Sequence, residues 1–249
     1  MRLGYVSSPL LSNAKIPVDF RSQITTAMLK LFPNRKPDET CVKICGIRTA
    51  IQAEQIVGLG AHAVGLNFWP KSKRYLEPAS AAEWSPDLKD ATVRIGVFVN
   101  PSDDEIDQIF QLDVIDFFQM HGDESPEQVA VLRERGIPAF KAMGIKDRDM
   151  LGQLPNFASG PVLLDAYAPT EYGGTGETMD WALGREAVEQ FPKNEVILAG
   201  GLVPENVAAA VRQVRPAAVD VASGVESEPG VKCLDKVKAF IDGAVKGRL

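Results

Sequence analysis

Lys43 and Cys45 stand two residues apart in the apolar run CVKICGI (41–47), the separation that puts both side chains on one face of a β-strand. A free thiol, with an ordinary pKa of about 8.5, is only a few per cent thiolate at pH 7 and needs help to act as a base. An ammonium on the same face is a candidate for that help. Cys45 would equally fit as a small buried hydrophobe. Asp165 closes the run Val162-Leu163-Leu164-Asp165, and a carboxyl group among aliphatic side chains needs a partner or a purpose. Such a buried carboxyl can stay protonated near neutrality and act as an acid. His121 and Asp220 stand at the ends of other apolar runs, and His121 also fits as a rim histidine with satisfied hydrogen bonds. Arg74, in the cationic stretch Pro70-Lys71-Ser72-Lys73-Arg74-Tyr75, offers a planar fork that matches a carboxylate; the same stretch also reads as a solvated loop.

The glycines suggest a phosphate. Gly200-Gly201 and Ser223-Gly224 each follow an apolar run, where backbone N–H groups can approach an oxyanion and a following helix N-terminus adds a favourable dipole. Gly-Gly alone also suits a tight turn. The stretch Tyr172-Gly173-Gly174-Thr175-Gly176 lacks the spacing of a nucleotide P-loop and is expected to form a rim or lid element. Cys41-x3-Cys45 hints at a metal, but neither His62 nor His121 has a partner at zinc-site spacing, so no metal is expected.

These residues need a scaffold that gathers the ends of several strands. Eight short apolar or β-branched runs recur: 41–47, 63–69, 94–100, 114–120, 138–145, 161–167, 195–201 and 217–223. Their starts are 20 to 34 residues apart, the spacing of a βα unit. The runs are apolar nearly throughout, as strands of a parallel sheet covered on both faces must be. Helical periodicity fills most of the gaps, at Thr49–Leu59, Asp103–Leu112, Pro126–Arg135, Pro204–Val214 and Val231–Val245. Ser102, Ser125-Pro126 and Val203-Pro204 are expected to open three of these helices. Eight such units predict a single (β/α)8 barrel over 41–249, whose chemistry belongs at the C-terminal ends of the strands. Lys43, Cys45, Arg74, His121, Asp165 and Asp220 fall at such ends or in the loops after them. A doubly wound open sheet is the alternative.

Residues 1–40 stand outside the repeat. Phe20, Ile24, Ala27, Met28, Leu31 and Phe32 fall on one helical stripe between Pro17 and Pro33, which predicts an added helix that closes the barrel bottom or packs on a partner. The formal charge of −6, with no concentrated Lys/Arg run, argues against nucleic-acid and anionic-membrane partners. Three cysteines are too few for a secreted disulfide framework, no signal peptide is expected from residues 1–15, which hold no clean apolar run, and no bilayer-length apolar run is present. A reducing, cytoplasmic setting is expected, with the chain a monomer or homodimer.

Eight stretches together resemble the phosphoribosylanthranilate isomerase family of tryptophan biosynthesis: KICGI (43–47), GLNFWPKSKRY (65–75), GVFVN (96–100), QMHGDE (119–124), LLDA (163–166), GGTGETMDW (173–181), LAGGLVPENV (198–207) and DVASGVE (220–226). The resemblance implies a TIM barrel that carries out a cofactor-free Amadori rearrangement of a small phosphosugar, N-(5-phosphoribosyl)anthranilate. It implies Asp165 as general acid and Cys45 as general base, with Arg74 on the anthranilate carboxylate. His121 and Asp220 would shape the substrate site, and Gly176, Gly200, Gly201, Ser223 and Gly224 would cradle the phosphate; Lys43, from its own position beside Cys45, is expected among the substrate-binding residues.

The chain departs from the family pattern at Ala222, where a serine is usual, at Lys73, where proline is common, and at Met120, where leucine is common. None of these touches the acid–base pair. The rival reading within the same chemistry is the histidine-pathway barrel that isomerises an aminoaldose. That family relies on aspartates at the ends of strands 1 and 5, and Cys45 at the first of these argues against it. A non-catalytic barrel that binds a phosphorylated ligand is the alternative from another class, and it predicts binding without turnover.

Overall fold

The computed structural model describes residues 30–33, 35–157, 160–167 and 178–249. Eight strands pair in parallel, each with the next, and β1 closes the ring on β8. They are β1 (Cys41–Cys45), β2 (Ala63–Asn67), β3 (Val93–Phe98), β4 (Phe117–Met120), β5 (Ala139–Ile145), β6 (Pro161–Ala166), β7 (Glu195–Leu198) and β8 (Ala218–Val221). The predicted barrel is therefore the observed one, and the open sheet is excluded because no strand of the ring is left at an edge.

The near-continuous apolar runs reflect two separate cores. Side chains at alternate positions fill the barrel interior, among them Cys41, Ala63, Ile95, Phe140, Leu163, Ile197 and Ala218. Their neighbours face outward into the larger layer between strands and helices, which includes Val42, Val64, Phe118, Leu164 and Val219. Period two thus fixes the orientation of the polar residues. Lys43 and Cys45 share the inward face of Cys41, Asp165 that of Leu163, and Asp220 that of Ala218.

The outer helices are α1 (Ala50–Gly58), α2 (Pro78–Ala82), α3 (Asp103–Leu112), α4 (Pro126–Glu134), α5 (Arg148–Leu151), α6 (Trp181–Gln190), α7 (Val207–Val214) and α8 (Leu234–Arg248). Ser102 and Ser125 open α3 and α4 with reciprocal capping boxes to Glu105 and Gln128, as expected from the sequence. Two predicted starts need correction. Val203-Pro204 does not open a helix: α7 begins at Val207, because the Asn206 side chain accepts from Val203 N–H and donates to Gly201 C=O, holding those residues in a turn. The segment from Val231 likewise begins as strand, since β10 (Val231–Lys232) pairs antiparallel with β9 (Glu226–Glu228) before α8 starts.

The helix predicted in the N-terminal extension lies almost wholly outside the described residues. Its last two members, Leu31 and Phe32, are buried against the interior core at the N-terminal end of the barrel. Among the described residues, no helix is long and apolar enough to cross a membrane.

Candidate active site

Lys43, Cys45 and Asp220 meet inside the C-terminal mouth of the barrel. Lys43 and Asp220 are register partners across the β1–β8 pair, and Lys43 Nζ donates to Asp220 Oδ1 at 2.9 Å with no exposure of the lysine side chain. Burial disfavours the Lys43 ammonium, yet the Asp220 carboxylate and the Cys45 sulfur outweigh it and raise the lysine pKa. Burial also raises the Cys45 thiol; Lys43 and Lys232 pull it back down, while Asp220 pushes it up. The sulfur has room because Gly65 is its neighbour on β2: a Cβ there would stand 2.7 Å from Cys45 Sγ.

Arg74, from the loop after β2, lies on the same side of the mouth. Its Nε and one terminal nitrogen donate to both oxygens of Glu226, at 2.7 and 2.8 Å. Lys232 donates to the same carboxylate at 2.7 Å and to the carbonyl of Ala222 at 3.0 Å. Burial works to raise the Glu226 pKa, but the two cations overcome it and hold the group lowered. The fork foreseen for a ligand carboxylate therefore already carries a protein carboxylate along one edge.

Asp165 stands on the other side, at the end of β6, three strands from β1 around the ring. Its Oδ1 accepts from Ala166 N–H at 2.8 Å, and its Oδ2 lies 3.3 Å from His121 Nε2. Gln119 Nε2 approaches His121 Nδ1 at 3.1 Å, so the neutral ring carries its hydrogen on Nε2, toward Asp165. Both oxygens of the buried carboxyl group are thereby fixed.

The turn that carries His121 has its own brace. Lys141 on β5 donates to the carbonyls of Met120 and Gly122 and to Glu124 Oε2, at 3.1, 2.6 and 2.8 Å. Glu124 in turn accepts from the backbone N–H groups of Asn100 and Gly122. Lys141→Met would leave a buried carboxylate without its cation. We expect a loss of about 3–5 kcal/mol in unfolding free energy by urea titration, and a loss below about 1 kcal/mol would show that the pair is dispensable.

Of the glycine-rich elements, the turns after β7 and β8 lie against each other. A Cβ on Gly224 would stand 2.0 Å from the carbonyl oxygen of Leu202, so only glycine permits this approach. Gly200, in turn, packs on Ala166 N and Asp165 Oδ1, which joins the first turn to the Asp165 side. The expected helix N-termini are displaced. Ser223–Val225 forms a single 3-10 turn leading into β9, and α7 starts six residues after Gly201. Gly176 and the rest of the second glycine-rich loop lie outside the described residues.

The family profile described as "N-(5'phosphoribosyl)anthranilate (PRA) isomerase" matches residues 42–243. This chain belongs to that family. Phosphoribosylanthranilate isomerases are enzymes that convert an aldose to a ketose. The isomerase of Trichlorobacter lovleyi is 40% identical over 203 residues, covering 82% of this chain and 97% of its own. That of Thermotoga maritima is 42% identical over 203 residues, with the same coverage. A crystal structure of the Thermotoga maritima isomerase has a TM-score of 0.75 at 40% identity and covers 82% of this chain and 98% of its own. A phosphoribosylanthranilate isomerase crystallised with reduced 1-(o-carboxyphenylamino)-1-deoxyribulose 5-phosphate has a TM-score of 0.73 at 38% identity, with the same coverage. Glu226, Lys232, Lys141, Glu124 and Gln119 are among the polar groups of this mouth to which the sequence alone assigned no role.

Proposed function

We propose that this chain isomerises N-(5-phosphoribosyl)anthranilate to 1-(2-carboxyphenylamino)-1-deoxyribulose 5-phosphate in tryptophan biosynthesis, with Asp165 as general acid and Cys45 as general base. The observation that carries this reading is the separation of two buried proton-transfer groups on opposite sides of one mouth: a thiol beside an ammonium, and a carboxyl group held by His121 and Ala166. Asp165 protonates the furanose ring oxygen, the bond from that oxygen to C1′ breaks, and the nitrogen lone pair forms an iminium. The Cys45 thiolate then removes the C2′ proton, which the iminium has acidified, to give an enolamine. Tautomerisation of the enolamine yields the ketone, and no external oxidant or reductant is consumed. Lys43 favours the thiolate through its charge. Gly200, Gly201, Ser223 and Gly224 border the turns assigned to the phosphate, with Gly176 completing the set, and Asp220 serves the site by holding Lys43.

Purified protein supplied with the phosphoribosylated anthranilate should turn it over, and absence of turnover would refute the reading. The aminoaldose of the histidine pathway should be a poor substrate in the same assay.

Arg74 is assigned to the anthranilate carboxylate through the donors that Glu226 leaves open. In Arg74→Ala, Glu226 keeps Lys232 as a partner, so the fold should survive. The expected result is a KM raised about tenfold or more, in line with the loss of a charge-assisted hydrogen bond. Unchanged KM and kcat would remove Arg74 from the site.

A further inference from the structure

We propose that Glu39, Cys41 and His62 form a binding site for a divalent transition-metal ion of the zinc class at the N-terminal end of the barrel. The site is independent of the catalytic reading. Cys41 and Cys45 share one face of β1, but four residues of strand, about 13 Å, put them at opposite ends of it. The ligand atoms of Glu39, Cys41 and His62 all lie within 4.8 Å of one another. A cavity of about 740 Å³ opens on all three and gives an ion a way in and a water a fourth position.

The donor set selects the ion. Thiolate, imidazole and carboxylate are the three ligand types of zinc, and a thiolate with an imidazole disfavours magnesium and calcium, which take oxygen ligands. The local field favours a cation. The Glu39 carboxylate lies within 4.8 Å of the Cys41 sulfur, and a divalent ion there would displace the thiol proton. Arg35, the opposing charge, donates to the backbone carbonyls of Glu39 and Lys36.

Binding exchanges protons in a defined way. Val42 N–H donates to His62 Nδ1 at 3.2 Å, so the ring hydrogen sits on Nε2, 3.4 Å from Glu39 Oε1. When the ion bonds Nε2, that hydrogen moves to Nδ1 and the ring turns from Val42, whose N–H passes to water. The Cys41 proton leaves to solvent. One proton is released per ion, and the neutral site contains one thiolate, one carboxylate and the dication.

The test uses Co²⁺ as a spectroscopic probe on the full-length protein. We expect a thiolate-to-cobalt charge-transfer band that saturates at one equivalent, releases one proton and is erased by Zn²⁺. Cys41→Ser should abolish the band while retaining circular dichroism and isomerase turnover, and His62→Gln should weaken binding roughly tenfold or more. Zn²⁺ should raise the thermal midpoint of the wild type but not of Cys41→Ser. The proposal is overturned if cobalt gives no saturable band, if the band survives Cys41→Ser, or if it is lost instead in Cys233→Ser or Cys45→Ser.

Discussion

Asp165→Asn should lower kcat by about 10²–10⁴-fold with little change in KM, the range that a positioned proton donor contributes. Asparagine keeps the shape of the carboxyl group: its Oδ1 can accept from Ala166 N–H, and its Nδ2 can donate to His121 Nε2 once the ring carries its hydrogen on Nδ1, so the mouth should stay folded. What it lacks is a proton that can pass to the furanose oxygen. Cys45→Ala should cause a loss of the same order by removing the base, and the cavity left by a thiol is small. The two defects should not add in full, because ring opening and C2′ deprotonation belong to one sequence. Steady-state turnover of the phosphoribosylated anthranilate reads both single variants and the double variant. Full activity in either single variant would refute the assigned mechanism.

Lys43→Met should carry the largest combined cost. It leaves Asp220 buried without its cation, a loss of about 3–5 kcal/mol in folding stability. It also removes the nearest charge that favours the Cys45 thiolate. The sign is fixed by the direction of each shift. Burial holds the thiol above its ordinary value, Lys43 lowers it and Asp220 raises it. A base works when deprotonated, so activity rises with pH along this limb. Lys43→Met moves the limb to higher pH, whereas Lys43→Arg, which keeps the charge, leaves it near its wild-type place. The contrast in the pH dependence of kcat/KM between these two variants is one that a general loss of structure would not produce. An unmoved limb in Lys43→Met would show that this charge does not tune Cys45.

The barrel was legible because its strands are short, apolar and regularly spaced, and a parallel sheet covered on both faces admits little else. Period two placed Lys43 beside Cys45 correctly. The two serine caps were legible because a capping box is local, with Ser102 and Glu105 only three residues apart. The start of α7 was missed because the Asn206 side chain competes for the backbone that Pro204 seemed to free. The partners of the polar residues were also missed. Arg74 and Glu226 are 152 positions apart and Lys141 and Glu124 are 17 apart, and nothing in either neighbourhood names the other. Glu226 does lie in the stretch DVASGVE that carried the family resemblance, yet a stretch says which residue belongs, not what it holds. Spacing along the chain also gives no sign that Glu39, Cys41 and His62 are gathered at adjacent strand starts.

The Lys43–Asp220 contact lies across the seam where the last strand of the ring meets the first, joining residues 177 positions apart. A chain that has laid down β1 to β7 but not β8 has its thiol and its carboxyl acid, but not the counter-ion that lets Lys43 remain charged beside Cys45. Assembly of the site is therefore the same event as closure of the ring, a contact of very long sequence separation and high loop-closure entropy. During refolding, secondary structure can return early while turnover waits for that final junction.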